Sequence, residues 1–293
     1  MFSRTTCLVW AVWLGGALFS SRAAETQPVP NLDKSPFTLF NPTPAEHLRA
    51  LSADRPDKTD SPYTVDAGHW QLETDAANYS LTERNPERTR QRFTAFEAGN
   101  MNLKLGVLNR VDAQLVTTLY RAERLENHAS GTVERHRGFG DLTPRVKINL
   151  WGDDGGRTAL AVMPFVKFPT AHDGLGHHAI EGGVKIPFAI EVPNWDVSLM
   201  TEVDFNRDEM RAGRHAEFVN SISVGRKVIG ALSLYTEFYS SVSTEAGSAW
   251  AGTFDTWLTY EVNKNLRLDG GIYIGVTRAA EDWHPFLGFT WRY

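Results

Sequence analysis

Cysteine is almost absent from this sequence: Cys7 is the single one in 293 residues. A disulfide within the chain is thereby excluded. Long hydrophobic runs are also missing beyond the N-terminal region. No later stretch reaches the roughly 18 apolar residues of a membrane-spanning helix, so no such helix is predicted. Charge of one sign is not concentrated anywhere: 35 acids stand against 30 bases, for a net charge of −5. That leaves no footprint for nucleic-acid binding. Extended helical periodicity is scarce too. The best candidate, "PAEHLRAL" from Pro44 to Leu51, predicts two turns at most, with Pro44 suited to a first turn.

What is present begins with an export signal. Arg4 supplies a short positive region, Cys7 to Phe19 ("CLVWAVWLGGALF") an apolar run, and Ser21 and Ala23 the small residues of a cleavage site. The run is too short for a good spanning helix, and Cys7 has too little before it to be a lipoprotein cysteine. The structural alternative is a buried N-terminal helix. Cleavage near Ala23 removes Arg4 and Arg22, leaving 28 bases against 35 acids and no cysteine. An exported chain without disulfides needs another source of stability.

From Gly68 onward the sequence alternates. "PRVKINLW" sets Val146, Ile148 and Leu150 against Arg145, Lys147 and Asn149. "GVKIPFAIEV" sets Val184, Ile186, Phe188, Ile190 and Val192 against Lys185, Pro187, Ala189 and Glu191. "WDVSLMTEVDFN", "FDTWLTYEV" and "NLRLDGGIYIGV" do the same. About twelve such segments are predicted, near 69–81, 92–106, 110–121, 139–151, 157–168, 182–193, 195–206, 215–227, 231–242, 252–262, 265–277 and 284–293. Two change parity partway, at Ala76/Ala77 and near Asn100/Met101, as bulged strands do. Segments of about 9–11 residues suit strands tilted across a bilayer, whereas soluble strands average about five or six.

The connections alternate in length. "VLNR", "GDDGG", "PN", "VIG" and "NKN" are short, while "TERNPERTR", "AERLENHASGTVERHRG", "PTAHDGLGHHAIEG", "RDEMRAGRH", "STEAGSAW" and "RAAEDW" are mostly longer. Short periplasmic turns and long outer loops characterise outer-membrane barrels. The fold class expected is therefore all-β: a transmembrane antiparallel up-and-down β-barrel of about 12 strands in the bacterial outer membrane. Its domains would be a signal peptide (1–23), a Pro-rich periplasmic or plug segment (24–67) and the barrel (68–293). The rival is a soluble β-sandwich.

The chain closes on "FLGFTWRY", in which Leu287, Phe289, Trp291 and Tyr293 alternate with Gly288, Thr290 and Arg292. As a last strand it would present these apolar residues to lipid, with the aromatics in the interfacial girdle. It would close against the first strand, because no backbone group can stay unpaired in lipid.

Three stretches carry a family resemblance: Leu51 to Glu73 ("LSADRPDKTDSPYTVDAGHWQLE"), Gly138 to Gly156 ("GFGDLTPRVKINLWGDDGG") and Ala159 to Thr170 ("ALAVMPFVKFPT"). From about Ser52 to the C-terminus the chain resembles the family of outer-membrane transporters named for the meta-cleavage pathway of phenol degradation. The resemblance implies an outer-membrane barrel and uptake of small organic compounds, without established catalytic residues. Resemblance to outer-membrane proteins also implies that the strand ending at Tyr293 is read by the barrel-insertion machinery.

Strand parity gives candidate lumen residues. Arg145, Lys147, Lys167 and Lys185 form a basic wall. Glu202, Asp204, Glu237, Asp255, Glu261 and Asp269 form an acidic one, with Asp196 and Arg267 beside them. Such a transverse field would orient a polar solute and hold water; alternatively the charges pair across a filled interior. Tyr235, Tyr239, Trp257 and Tyr273 also point inward, as a path for an aromatic solute or as packing. "DRPDKTD" offers Asp54, Arg55, Asp57, Lys58 and Asp60 to charged walls, which makes 24–67 a candidate plug or, alternatively, a solvated lead-in.

Other chemistry is weakly signalled. His177, His178 and Glu181, with His172 and Asp173, have the residue types for zinc but no firm ligand spacing, and His128, His136 and His215 also fall in or beside outer loops. No metal or cofactor is therefore expected. No "GxSxG" elbow occurs, and "SSVSTE" (Ser240 to Glu245) has no adjacent histidine. The function expected is a channel or passive transporter for small organic compounds, aromatic or hydrophobic ones included, and not an enzyme. Its partners would be outer-membrane lipid, the insertion machinery and a small-molecule solute, with no nucleic acid. The alternatives are a closed structural or adhesive barrel acting through its outer loops, and an outer-membrane lipid hydrolase.

Overall fold

The computed structural model describes residues 33–172, 174–208 and 213–293. The expected signal peptide, with Cys7 and its Ala23 cleavage site, lies outside the described residues. Thirteen strands make one antiparallel sheet: β1 Trp70–Thr82, β2 Gln91–Leu108, β3 Val111–Asn127, β4 Thr132–Gly138, β5 Thr143–Trp151, β6 Thr158–Lys167 and β7 Glu181–Val192, then β8 Trp195–Arg207, β9 Arg214–Ile229, β10 Leu232–Ser243, β11 Ala251–Asn263, β12 Leu266–Gly275 and β13 Trp283–Arg292.

Each strand pairs with its neighbours in sequence, and β13 returns to pair with β1 from Gln71↔Arg292 to Leu81↔Trp283. The last residue takes part in the closure. Tyr293 N–H donates to Trp70 O at 2.9 Å and Trp70 N–H to Tyr293 O at 3.1 Å. A closed ladder leaves no edge, which is the requirement for irregularity-free crossing of lipid. Two of the thirteen strands share one place in the ring: β4 pairs with the outer part of β3 (Arg121↔Gly138 to Asn127↔Thr132), and β5 with its inner part (Val111↔Ile148 to Val116↔Thr143). The barrel thus has twelve positions. The expected loop from Ala122 to Gly138 is corrected: most of it is a β3–β4 hairpin that prolongs the sheet outward. Its charged residues mask the alternation there.

The barrel is inside-out relative to a soluble protein. Lys104, Lys147, Asp112, Asp255, Glu237 and Thr290 are fully or almost fully buried, while Leu287, Leu119, Ile229 and Phe205 are exposed. Alternation produces this partition, because a pleated strand sends successive side chains to opposite faces. Parity shifts where β1 bulges between Asp75 and Ala77. In β2 the shift falls at Gly99, whose φ of 65° only glycine adopts freely, one residue before the expected place.

The chain ahead of the barrel is tied to it. A turn at Thr38–Asn41 docks on the end of β2 through Leu39 N–H to Val107 O, 2.8 Å. The helix expected over 44–51 shrinks to one 3₁₀ turn, Ala45–His47, without a side-chain cap, and Leu48 is already extended. Arg49 ends it: its N–H donates to Asp66 Oδ2 at 2.9 Å and its guanidinium to Asn109 and Asp154, which holds the backbone outside a helix.

Candidate functional site: the lumen and the segment within it

Residues 49–66 make an excursion into the barrel and back. Its two limbs meet at the periplasmic end. There Arg49 Nε donates to Asp154 at 2.9 Å, and Thr64 N–H donates to Asp153 Oδ1 at 2.9 Å; both carboxylates belong to the β5–β6 turn. Burial pushes Asp153 up to about 6, against the pull of Arg49 and Thr64. Its neighbour Asp154 goes the other way. Partial burial raises it, but hydrogen bonds from Arg49 and Asn109 outweigh that and hold it at about 2. On the returning limb, Val65 N–H donates to Asp112 Oδ2 at 3.0 Å. Gly106 leaves room for the backbone to pass: a Cβ there would lie 2.0 Å from Asp66 O.

Between the limbs, acids of the segment meet the basic wall. Asp54 lies 2.6 Å from Lys104 Nζ, forms an ion pair with Lys147, and lies 3.5 Å from Arg145. Asp60 lies 2.8 Å from Lys185 and 3.5 Å from Arg145. Bases meet the acidic wall in the same way. Arg55 reaches Asp269 at 2.5 Å and also pairs with Asp75, while Lys58 Nζ lies 3.3 Å from Asp255. Glu237 accepts the backbone N–H of Lys58 (3.0 Å) and of Thr59 (2.8 Å). Lys58 Nζ also sits 4.8 Å from the Tyr239 ring centre and 4.5 Å from that of Tyr273, and the Tyr273 hydroxyl donates to Pro56 O. Burying charges is tolerable only when they are paired, and opposed walls with an alternating segment between them satisfy that condition.

Not every wall residue meets the segment. Lys167 pairs with Glu181 at the outer end of β6 and β7. Glu261 is exposed at the periplasmic mouth, where it lines a cavity. Glu202 lies 3.4 Å from Lys185, and Asp204 has a buried Oδ1 without a hydrogen-bond partner among the described residues. Asp57 faces cavities on both sides of the segment. Lys104, Glu73 and Asp112 are all buried within the site; Lys104 and Glu73 were missed because they lie on the strands whose parity shifts, whereas Asp112 lies on β3, where its alternation with Val111 and Ala113 is unbroken. The alternation in "MNLKLG", Met101 to Gly106, is the signal that would have found Lys104. Arg49 was missed inside an expected helix.

Two cavities flank the segment. One, of about 490 Å³, includes Tyr63, Asp153, Glu191, Tyr235, Trp257 and Arg267 in its lining. Tyr235 and Trp257 stack there, ring centres 5.5 Å apart and planes within 3°. The other, of about 350 Å³, is bounded by Lys58, Asp75, Arg145, Lys185, Glu202 and Tyr239. Arg55, Pro56 and Asp57 belong to both linings and form the partition between them.

The outer-loop histidines divide differently from expectation. His177 Nδ1 lies 2.9 Å from Glu181, and Asp173 lies outside the described residues. Among the described residues the His/carboxylate group that converges is Asp208, His215 and Glu245, with His215 Nδ1 at 3.0 and 3.7 Å from the two carboxylates.

A closed twelve-position barrel with an apolar exterior, a polar lumen and unequal loops is a porin-like transmembrane barrel of the bacterial outer membrane. The chain belongs to the family described as "Putative MetA-pathway of phenol degradation", whose model matches residues 53–293. No curated protein matches the sequence. Among solved structures, it is similar to the NanC porin, with 9% identity, 76% of this chain and 98% of that chain covered, and a TM-score of 0.49. It is similar also to the transport unit of the autotransporter AIDA-I from Escherichia coli (13% identity, 76% and 89% covered, TM-score 0.46). A third is the anion-selective porin from Comamonas acidovorans (8% identity, 77% and 98% covered, TM-score 0.36). The barrel itself is established by its own strand pairing.

Proposed function

We propose that this protein is a passive outer-membrane channel for small organic solutes, and that residues 49–66 plug it in the state described. The observation that carries this reading is the partition. Cavities of about 490 and 350 Å³ abut the same three segment residues, Arg55, Pro56 and Asp57. Moving those residues aside would join the cavities into one path. The stacked Tyr235 and Trp257 offer a planar solute a face to slide over, and the charged walls would keep the remaining path wet. No step of this reading calls for catalysis or a cofactor. The family's association with phenol degradation supports an organic cargo without selecting one.

A second reading follows from the filled lumen: a permanently closed barrel acting through its outer loops. Single-channel conductance of the refolded mature chain, with and without residues 25–66, separates the two. Conductance that appears or enlarges on deletion is the expected result. No conductance in either form sinks the channel reading and leaves the closed barrel.

A further inference from the structure

We propose that the outward face of the β2–β3–β4 sheet binds the phosphorylated headgroup of an outer-leaflet lipid. The inference is independent of whether the lumen conducts.

Strand register assigns the face. Phe96 is 41% exposed and Ala95 4%, so Phe96 points out of the barrel. Residues opposite one another in a ladder share a face, and the face alternates along each strand. Phe96 pairs with Ala122, and Ala122 with Arg137. The next outward row is Thr94, Arg124 and Arg135, and the one beyond is Arg92, Glu126 and Val133. Four arginines and one glutamate therefore share the outward side. Arg92 pairs with Glu83, and Arg124 with Glu126. Among the described residues, Arg135 and Arg137 have no ion-pair partner, and both are exposed.

Two further features point to an anion. Arg124 and Arg135 are direct cross-strand partners, and like charges so placed destabilise a sheet. An anion bridging them would remove that cost. Height is the second. Leu119, Tyr120, Phe96 and Phe139, all exposed, mark the top of the apolar surface just below the hairpin. The Arg124–Arg135 row stands about 7 Å beyond Phe96, at about 3.3 Å per residue. Guanidinium groups directly above an apolar belt lie in the headgroup layer, where phosphate is the group their paired donors match best.

The test uses the full mature chain, refolded in detergent micelles, and fluorescent lipid A as the probe, with binding followed by anisotropy. The R124Q/R135Q/R137Q variant is expected to bind about fivefold more weakly per arginine, roughly a hundredfold in all. K227Q, at the opposite end of the barrel, should match the unaltered protein. Dephosphorylated lipid A should bind the unaltered protein as weakly as lipid A binds the triple variant. R137Q alone, expected to lose about fivefold, keeps the test decisive should the triple variant fail to fold. Equal binding by the unaltered and variant proteins overturns the proposal. So does affinity that survives removal of the phosphates, or displacement of the lipid by a soluble polyglutamate at equal charge, which would point to an acidic protein.

Discussion

The guanidinium of Arg55 lies against the carboxylate of Asp269, Nη1 2.7 Å from Oδ1, although 214 residues separate them in sequence. The pair joins the tip of the lumen segment to the opposite wall, and Arg55 pairs with Asp75 on the next strand but one. Substituting Arg55→Ala leaves both carboxylates in the lumen without their cation. Stranding a buried charge costs about 3–5 kcal/mol, so the segment should undock. The expected readout is faster proteolysis within 50–62 and a conductance approaching that of the segment deletion. Unchanged protease protection would contradict it.

Asp54 sets a harsher case. Its carboxylate sits between Lys104 and Lys147, whose side chains are 1% and 0% exposed. Asp54→Asn should destabilise the docked segment by about 3–5 kcal/mol. Adding Lys147→Met to that variant should recover part of the loss, since an apolar side chain needs no counter-charge. Thermal unfolding of the unaltered protein and both variants, followed by the gel shift of the folded barrel, measures both effects. A double variant no more stable than Asp54→Asn would refute the pairing argument.

The periplasmic rim should respond to pH in two opposed steps. Asp153 titrates near 6 in the folded protein, above the ordinary 3.8. The folded state therefore holds a proton that the unfolded chain has released, and stability falls as pH rises from about 4 through 6. Asp154, held at about 2, contributes stability that is complete above 3.8 and is lost as pH falls toward 2. Protection of the 49–66 segment should peak near pH 4, where the two steps meet. Asp153→Asn should flatten the decline between about pH 4 and 6 while leaving the acid limb in place. A profile that Asp153→Asn does not change would assign the decline to another group.

Gly106 offers a test without charge. A Cβ there would fall 2.0 Å from Asp66 O and 2.7 Å from Val65 O. Gly106→Ala should push the returning limb off β2 at a cost of about 1–3 kcal/mol. The barrel should still form, with the segment more open to protease. Gly131→Ala, where no atom lies within 4 Å of the added Cβ, serves as the comparison, although its φ of 74° brings backbone strain of its own. Equal protection in both variants would show that the contact is not limiting.

Much of the architecture is legible in the order of residues along each strand. Runs such as "PRVKINLW" declare two faces whatever they pack against, because the pleat has period two. Loop lengths oriented the barrel, and Leu287, Phe289, Trp291 and Tyr293 marked its last strand. Reading failed where local pattern stops being informative. The charged β3–β4 hairpin lacks an apolar face, and "PAEHLRAL" has helical composition but loses its helix to the bonds that Arg49 makes with Asp66, Asn109 and Asp154.

Side-chain order along single strands is enough to specify the barrel, its alternating walls and the charges available to the lumen. Which charges meet depends on how the closed barrel places its strands around the segment. Arg55 finds Asp269, and Asp54 finds Lys104 and Lys147, because β13 closes on β1 and Arg49 and Thr64 anchor both limbs of the segment at one rim. Closure and anchoring fix how far the segment reaches, and distances across a lumen leave no periodic trace in the chain.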